Sequence, residues 1–340
     1  MRFAFFADIH LSRYAQDKIE DTTNLPERLH SIKQTLYAIA KYCVDNDIGI
    51  VIIGGDVLHG KSIIYALAQD IMLEYFNVWS DKLFFYVIDG NHDLSGKGSN
   101  VVSALRSLDA LENVQWIGTN YSSLIFDNIV FIPYSAEVSS MVKSCSGDIL
   151  ISHFGLNEGM LNSGISIVSD IGLRDLAGKY KLVLLGHYHK PQEIITEGLS
   201  VYYSGSPIQL DWGEKGDIKR FLVVDSETLD VQSIPTIGYR QHIEYEITSE
   251  NKNEILDKAK VMQEAGHHVK IIKKENVEGL ENFRVIDKVE KDITDRGITS
   301  SMTREEILRR YIEIKDIPEH AAERFLKTGI DIIQKCEGDE

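Results

Sequence analysis

The stretch 183–192, VLLGHYHKPQ, begins as an apolar strand and ends in two histidines. Its apolar residues are typical of a strand that is covered on both faces of a sheet. They run into Gly186, and His187 and His189 then follow one residue apart. On an extended backbone, residues two apart face the same way, so both imidazoles are expected on one side. The ending therefore raises the question of what two imidazoles at one strand end would bind.

The other predicted strands of the first 240 residues end in the same way. Strand-like runs lead into ADIH at 7–10, GGDVLH at 54–59, GNHD at 90–93 and SHF at 152–154. Helix-like runs lie between them, with apolar residues at spacings of three and four. Such alternation predicts an α/β fold, in which the loops beyond the carboxyl ends of the strands build the active site. We therefore expect the polar strand endings to meet.

These endings would gather carboxylates, imidazoles and one amide at the edge of the sheet. The candidate metal ligands are Asp8, His10, Asp56, Asn91, His153, His187 and His189. A single zinc ion takes four ligands, so the set predicts two metal ions that share one carboxylate. Mixed nitrogen and oxygen ligation favours manganese or iron over calcium, which prefers oxygen alone. Any one of these residues, taken alone, more often has a structural role than binds a metal. The metal site is favoured because five predicted strands end in such residues.

The composition limits the functions that are open to the chain. Its 340 residues include 36 Lys and Arg against 52 Asp and Glu, for a formal net charge of -16. Such a chain has no overall attraction to a polyanion, so local basic patches, metal ions or a partner would have to hold a nucleic acid. The three scattered cysteines form no CxxC pair, which argues against a disulfide framework. No apolar run reaches the ~18–20 residues of a membrane span, and we expect a cytoplasmic protein without a signal peptide.

The pattern along the chain predicts three parts. Residues 1–238 form the alternating core, residues 239–298 read as a small α+β unit, and residues 299–340 are helical only. Thr303 and Glu306 predict a capping box at the start of the first of two helices. Apolar residues recur at helical spacing in both helices. Such a stripe either packs on the core or docks in the groove of a partner.

The order of the motifs DIH, GD, GNHD, H and GHYH resembles the calcineurin-like metallophosphoesterase superfamily. Within it, the chain is similar to the SbcD and meiotic-recombination-eleven DNA-repair nucleases. His59 follows Asp56 by three residues, and the segments GHYHKPQ at 186–192 and YYSGSPIQLDWGE at 202–214 look like segments of SbcD. The chain is short for that branch, which would suit a bacteriophage member. The resemblance implies a four-layer αββα sandwich with a small α+β cap that binds DNA and a C-terminal helix pair.

The resemblance also implies roles for the matching residues. The first metal would be held by Asp8, His10, Asp56 and His189, and the second by Asp56, Asn91, His153 and His187, with Asp56 as the bridge. The metals would be two Mn(II) ions per chain, with Mg(II) or Fe(II) as substitutes. His92 would protonate the leaving 3′ oxygen or stabilise the charged phosphorane, Asp93 would orient His92, and His59 would steer the DNA strand near the scissile phosphate.

The function implied in this way is a manganese-dependent DNA exonuclease, also an endonuclease, within an ATP-driven complex for DNA recombination, repair or replication. Its partners would be DNA, an SbcC-type coiled-coil ATPase and a second copy of the chain. The apolar residues of the helix pair that would grip the ATPase are Ile307, Tyr311, Leu326 and Ile330. The alternatives are a phosphomonoesterase or cyclic-nucleotide phosphodiesterase on the same metals, and a non-catalytic scaffold with structural metals. The complete ligand set with His92 argues against a scaffold, and the length of cap and tail argues against a small-molecule esterase.

Overall fold

A computed structural model describes residues 1–14, 17–61, 63–96, 100–118, 124–164, 168–288, 302–314 and 318–337. The chain divides into two units. One is Met1–Glu244 with Ala259–Val269, and the other is Tyr245–Lys258 with Lys270–Glu340. The first unit contains every candidate metal ligand. The division into 1–238, 239–298 and 299–340 stays a prediction.

The first of two large sheets is built from six strands. They are β1 (Arg2–Phe6), β2 (Ile50–Ile53), β3 (Phe84–Ile88), β6 (Val114–Ile117), β13 (Arg220–Asp225) and β14 (Val231–Pro235). The order is β14-β13-β1-β2-β3-β6. The four strands from β1 to β6 run parallel, and β13 and β14 pair antiparallel at one edge. Parallel neighbours need crossover connections, which helices α1 (Glu27–Asp45) and α2 (Ala66–Trp79) supply.

The second large sheet also has six strands. They are β7 (Leu124–Phe126), β8 (Ile129–Ile132), β9 (Ile149–His153), β10 (Leu182–Gly186), β11 (Gln192–Thr196) and β12 (Leu199–Tyr203), in the order β11-β12-β10-β9-β8-β7. Helices α3 (Val138–Ser144) and α4 (Leu173–Leu176) connect its central strands. The stretch 123–135, SLIFDNIVFIPYS, predicts a hairpin that turns at Asp127 and Asn128, and the pairing of β7 with β8 confirms it. Both residues have positive φ, 48° and 66°, as a tight two-residue turn requires.

Three separate hydrophobic cores show that the first unit has four layers. Leu29 of α1 and Phe76 of α2 pack on the outer face of the first sheet. The inner faces of the two sheets pack on each other through residues such as Phe5 and Leu184. Val142 of α3 and the residues around it cover the outer face of the second sheet. The αββα sandwich is therefore confirmed, and the apolar stripe of α1 is buried as its spacing predicted.

The apolar pattern of residues 101–111, VVSALRSLDAL, is typical of a helix, but the structure does not form an α-helix there. Residues 101–111 instead begin with the short strand β5 (Val102–Ser103), which pairs with β4 (Leu94–Ser95), and continue as a 3₁₀ helix over Ala104–Ala110. The hydroxyl of Ser103 accepts a hydrogen bond of 3.0 Å from the N–H of Leu105. A serine whose side chain bonds the backbone in this way favours the start of a helical turn over the interior of an α-helix. This explains why a 3₁₀ helix that begins after Ser103 replaces a longer α-helix.

The rest of the chain supplies a small sheet and the helix pair. The elements are β15 (His242–Ile247), α5 (Lys252–Glu264), β16 (His268–Lys273), β17 (Arg284–Asp287), α6 (Arg304–Ile314) and α7 (Glu319–Glu337). The capping box at the start of α6 is confirmed, because Thr303 N donates to Glu306 Oε2 at 2.7 Å and Glu306 N donates to Thr303 Oγ1 at 3.2 Å. Leu308 lies against Gly329, so α6 and α7 pack on each other. Within the part of the chain that the structure describes, none of the helices has the length and apolarity needed to cross a membrane.

Candidate metal centre

The carboxyl ends of five strands deliver the candidate ligands to one place. Asp8 and His10 follow β1, Asp56 follows β2 and Asn91 follows β3, while His153 ends β9 and His187 and His189 follow β10. A continuous set of short contacts joins all of these residues, with the carboxylate of Asp8 accepting from the backbone N–H of His187. The two sheets contribute from opposite sides, since the first three strands belong to one sheet and the last two to the other.

One group of ligand atoms surrounds His10. Its Nε2 lies 2.9 Å from Nε2 of His189 and 3.5 Å from Oδ2 of Asp56. One ligand atom each from Asp8, His10 and His189 lies within 4.8 Å of the others, a spread that suits a single cation. These contacts bring together the residues of the first predicted metal position.

A second group surrounds Asn91. Its Oδ1 lies 3.1 Å from Nε2 of His153 and 2.9 Å from Nδ1 of His187. Oδ2 of Asp56 lies 3.4 Å from the same Nε2 of His153. Asp56 Oδ2 is thus within 3.5 Å of a nitrogen in each group. The geometry is what a bridging carboxylate between two metal ions needs.

The donor set fits a pair of cations because its lone pairs converge. His153 directs Nδ1 at the carbonyl of Gly54 at 2.8 Å, so Nδ1 carries the proton. Its Nε2 then faces Asn91 Oδ1 and Asp56 Oδ2, which also offer lone pairs. Burial works against a charge on this ring, but the nearby Asp56 carboxylate outweighs it and raises the pKa of His153 to about 9. A positive charge is therefore favoured at this point, and a divalent cation would supply it without the extra proton.

Two of the other ligand imidazoles, those of His187 and His10, favour their neutral forms, which are the forms that bind metals. Burial lowers the pKa of His187 to about 4. Burial also holds the pKa of His10 well below its ordinary value. Both rings therefore offer a lone pair at neutral pH.

The loops that carry these residues adopt unusual backbone conformations. Four site residues have φ in the left-handed region: Asp8 (58°), His10 (52°), Asp56 (53°) and His187 (103°). Such conformations cost about 1–3 kcal/mol each for residues other than glycine, and they cluster at functional sites. Backbone hydrogen bonds hold them in place, among them Asp8 N to Gly55 O at 3.0 Å and His10 N to Asp56 O at 2.9 Å.

Two glycines allow the loops to approach each other closely. A Cβ at Gly90 would lie 2.2 Å from Asp56 Oδ1, and a Cβ at Gly186 would lie 2.6 Å from His153 Nδ1. Either side chain would collide with a ligand. The glycines at these strand ends are thus required by the site itself.

His59 and His92 lie beside the first group. Nδ1 of His92 is 2.9 Å from the backbone carbonyl of His59, so this nitrogen donates and Nε2 is left for other partners. The two rings stack with centroids 4.9 Å apart. Nδ1 of His59 is 3.1 Å from Nδ1 of His10. His59 therefore touches His10 with its ring. His92 touches His10 with its ring, at a centroid distance of 4.8 Å, and Asp56 with its backbone N–H.

The role predicted for Asp93 is wrong. Its carboxylate accepts three backbone N–H groups, from Val57 at 3.3 Å, Leu58 at 2.9 Å and Gly90 at 2.9 Å. The carbonyl of His59, not this carboxylate, faces the ring of His92. Asp93 turns away from the ring because the N–H groups of two site loops converge on it. It ties the loop after β2 to the loop after β3.

Glu214 also belongs to the centre, although the sequence patterns did not identify it as a site residue. It accepts a hydrogen bond of 2.9 Å from Nδ1 of His189 and pairs with the buried Lys219 at 2.7 Å. The carboxyl has a pKa of about 2, because its bonds to His189 and Lys219 outweigh its burial. Glu214 stands in the segment 202–214, which resembles SbcD, but no spacing rule connects it to a histidine 25 residues earlier. Ile307, Tyr311, Leu326 and Ile330 lie on α6 and α7, in the other unit.

Comparisons with known proteins find one family and several relatives. A family model described as calcineurin-like phosphoesterase matches residues 1–191, more than half of the chain. Exonuclease subunit 1 of Enterobacteria phage T4 is 27% identical over 224 residues, which cover 61% of this chain and 61% of that protein. The DNA double-strand break repair protein Mre11 of Archaeoglobus fulgidus is 22% identical over 245 residues, which cover 65% of this chain and 53% of that protein. The chain thus spans less than two thirds of the length of either relative.

Solved structures add little to these similarities. A putative 5′-nucleotidase from Staphylococcus aureus aligns with a TM-score of 0.42 at 13% identity, over 76% of this chain and 58% of that one.

Proposed function

The chain belongs to the calcineurin-like phosphoesterase family, and from that premise we propose that it is a metal-dependent DNA nuclease of the SbcD and Mre11 kind. The observation that carries the proposal is the position of Asp56 Oδ2, within 3.5 Å of a histidine nitrogen in each of two ligand groups. Two cations held side by side suit the hydrolysis of a phosphodiester.

The names of the relatives support DNA as the substrate. The phage relative is an exonuclease subunit and the archaeal relative a DNA double-strand break repair protein. Both similarities extend beyond the motifs of the metal centre, over 224 and 245 aligned residues. We propose exonuclease and endonuclease activity in DNA recombination, repair or replication in the cytoplasm of a cell, or of the host of a bacteriophage.

The metals proposed are two Mn(II) ions, with Mg(II) or Fe(II) as substitutes. Asp8, His10, Asp56 and His189 would hold one ion. Asp56, Asn91, His153 and His187 would hold the other. Ions held there would bind the phosphate and lower the pKa of a water between them towards neutrality.

His92 is the proposed proton donor to the leaving 3′ oxygen. The carbonyl of His59 fixes its Nδ1 at 2.9 Å, and its backbone N–H donates to Asp56 Oδ1 at 2.7 Å. Both contacts orient the ring next to the proposed metal bridge and leave Nε2 to carry the proton. A positioned acid of this kind contributes about 10²–10⁴ to a rate.

His59 is proposed to guide the DNA strand towards the centre. Its ring lies 5.4 Å from that of Tyr14, and the guanidinium of Arg28 stands 3.8 Å above the ring of Tyr14. Aromatic faces with a cation suit the bases and phosphates of a single strand. This local arrangement is one way for an acidic chain to hold a polyanion.

A partner would supply the rest of the DNA-binding surface. We propose that α6 and α7 bind an SbcC-type coiled-coil ATPase, that residues 239–298 form a DNA-binding cap, and that the chain acts as a homodimer. The net charge of -16 favours a partner that brings positive charge. Ile307, Leu326 and Ile330 are only half-buried and Tyr311 is 47% exposed, so the helix pair keeps apolar surface for helix-in-groove binding.

The test compares substrates on the purified full chain. With Mn(II), the account predicts cleavage of single-stranded and double-stranded DNA that exceeds the hydrolysis of p-nitrophenyl phosphate esters, and no cleavage in EDTA. Preference for a phosphomonoester would instead identify a phosphatase. Absence of hydrolysis of every substrate, with metals bound, would identify a scaffold.

A further inference from the structure

The ring of His189 is hydrogen-bonded, on the side away from the proposed metal, to the buried ion pair formed by Glu214 and Lys219. Its Nδ1 lies 2.9 Å from Oε1 of Glu214. A carboxylate can only accept, so Nδ1 carries the proton and Nε2 is the nitrogen that offers a lone pair. That Nε2 is the atom that faces His10 at 2.9 Å, on the side of the proposed metal.

Glu214 is itself fixed in position. It is 1% exposed and ends a 3₁₀ helix, Trp212–Glu214. Its Oε2 accepts from Lys219 Nζ at 2.7 Å, from Leu210 N at 3.0 Å and from Ser206 Oγ at 2.9 Å. The carboxylate therefore has no alternative orientation that would keep these bonds.

Lys219 also binds His189 directly, through the backbone. It is 0% exposed, and its Nζ donates to the backbone carbonyl of His189 at 2.8 Å as well as to Glu214 and to Ser206 Oγ at 3.0 Å. Those three bonds use all three protons of the ammonium group. Backbone and ring of His189 are thus tied to one buried cation, directly and through Glu214.

Stability alone does not account for such a pair. Moving two charges out of water costs free energy that their attraction often fails to recover, and apolar residues of similar size can be more stabilising. His153 and His10 have uncharged or imidazole partners at the ring nitrogen that does not face Asp56. Nδ1 of His153 meets a backbone carbonyl and Nδ1 of His10 meets His59. His10 and His153 meet the Asp56 carboxylate with Nε2, on the side of the proposed metals, whereas His189 meets a carboxylate with Nδ1, on the side away from the proposed metal.

We propose that Glu214 is a positioning residue for His189, anchored by Lys219, and that the pair sets the affinity of the metal position formed by Asp8, His10 and His189. The inference rests on the proposed function, because it needs the two metal positions. A carboxylate behind a ligand histidine fixes the tautomer and the ring orientation and makes the ligand nitrogen more basic. The second metal position, around Asn91, does not depend on the pair.

The test measures Mn(II) binding to the full chain after removal of metals with EDTA. Titration calorimetry compares the wild type with Glu214→Gln and with the double variant Glu214→Gln/Lys219→Met, which leaves no unpaired buried charge. We expect a loss of about 10–100-fold in affinity at one of two positions and little change at the other. The matched control is Glu27→Gln, which removes a buried carboxylate that pairs with Arg240 away from the centre.

A second readout follows the histidine without any metal. In ¹⁵N spectra of the imidazoles, we expect Nδ1 of His189 to be protonated in the wild type and the tautomers to mix in the double variant. Unchanged affinities and tautomer in a folded variant would overturn the proposal. Failure of both variants to fold, where Glu27→Gln folds, would make the pair structural and would also overturn it. If the wild type itself bound no Mn(II), the proposed function would fail first, and the two failures are thereby distinguished.

Discussion

Nε2 of His10 lies 2.9 Å from Nε2 of His189. His189 keeps its proton on Nδ1 for Glu214, and Nδ1 of His10 is 3.1 Å from His59. Nε2 of His189 therefore directs its lone pair at Nε2 of His10, and a cation between them would be bound by both nitrogens once the proton of His10 is on Nδ1. Asp8 and Asp56 lie around the same point and add negative charge.

The first prediction concerns the bridge. Asp56→Asn keeps the shape of the side chain but removes the charge that lies between the two ligand groups. We expect weaker Mn(II) binding at both positions and loss of the thermal stabilisation that Mn(II) gives, which is about 2.7 kcal/mol at a hundred times the dissociation constant. Calorimetry and thermal unfolding measure the two effects. The matched control is Asp45→Asn on the surface of α1, and full metal occupancy in Asp56→Asn would contradict the assignment.

The second prediction separates chemistry from metal binding. His92→Ala removes the proposed proton donor, so DNA cleavage should fall by about 10²–10⁴. Both metals should remain, because the ligand groups do not require this ring. Single-turnover rates and metal analysis measure this, with His30→Ala on α1, whose Nδ1 lies 3.3 Å from Thr23 Oγ1, as the control. A variant that has lost a metal would make His92 a ligand instead.

The third prediction tests the corrected role of Asp93. Asp93→Ala leaves three backbone N–H groups without their acceptor, at about 1–3 kcal/mol for each buried group left unpaired. We expect a large drop in the free energy of unfolding without metal, measured with urea. Asp93→Asn keeps one acceptor oxygen and should lose less. If both variants unfolded like the wild type and lost only activity, Asp93 would act on His92 after all.

The fourth prediction concerns the helix pair. Deletion of residues 300–340 should leave a chain that binds two metals and cleaves short single-stranded DNA, because terminal segments often tolerate removal. It should no longer copurify with an SbcC-type ATPase. Leu326→Asp should weaken that complex strongly, since it would bury an unpaired charge. Lys327→Asp, at the next and exposed position, is the matched control. A truncated chain that still binds the ATPase would move the partner site elsewhere.

The fifth prediction concerns the core beneath the first sheet. Burial raises the pKa of Cys43 to about 12, so the thiolate is absent at neutral pH. We expect no reaction of Cys43 with iodoacetamide in the folded chain, and no increase in rate between pH 7 and pH 9, the range in which an exposed thiol ionises. Peptide mass spectrometry measures the labelling of each cysteine. Rapid native labelling of Cys43 would show that α1 does not cover the sheet.

The sequence predicts those site residues that belong to a local pattern. Asp8 with His10, and His187 with His189, stand directly at strand ends, and parallel strands place such ends at one edge. Glu214 and the role of Asp93 could not be found in this way. The bond from Glu214 to His189 joins a 3₁₀ turn to a distant loop, and Asp93 faces N–H groups of a loop 35 residues earlier. The left-handed backbone of Asp8 and Asp56 likewise depends on hydrogen bonds between strands.

The position of the metals tests the central claim most directly. In crystals of the full chain grown with Mn(II), an anomalous difference map at the manganese edge would locate the ions. The account predicts two peaks per chain roughly 3.5–4 Å apart, one near His10 and His189, the other near Asn91 and His153, with Asp56 between them. A single peak, or peaks away from Asp56, would contradict the dinuclear centre and the nuclease mechanism built on it.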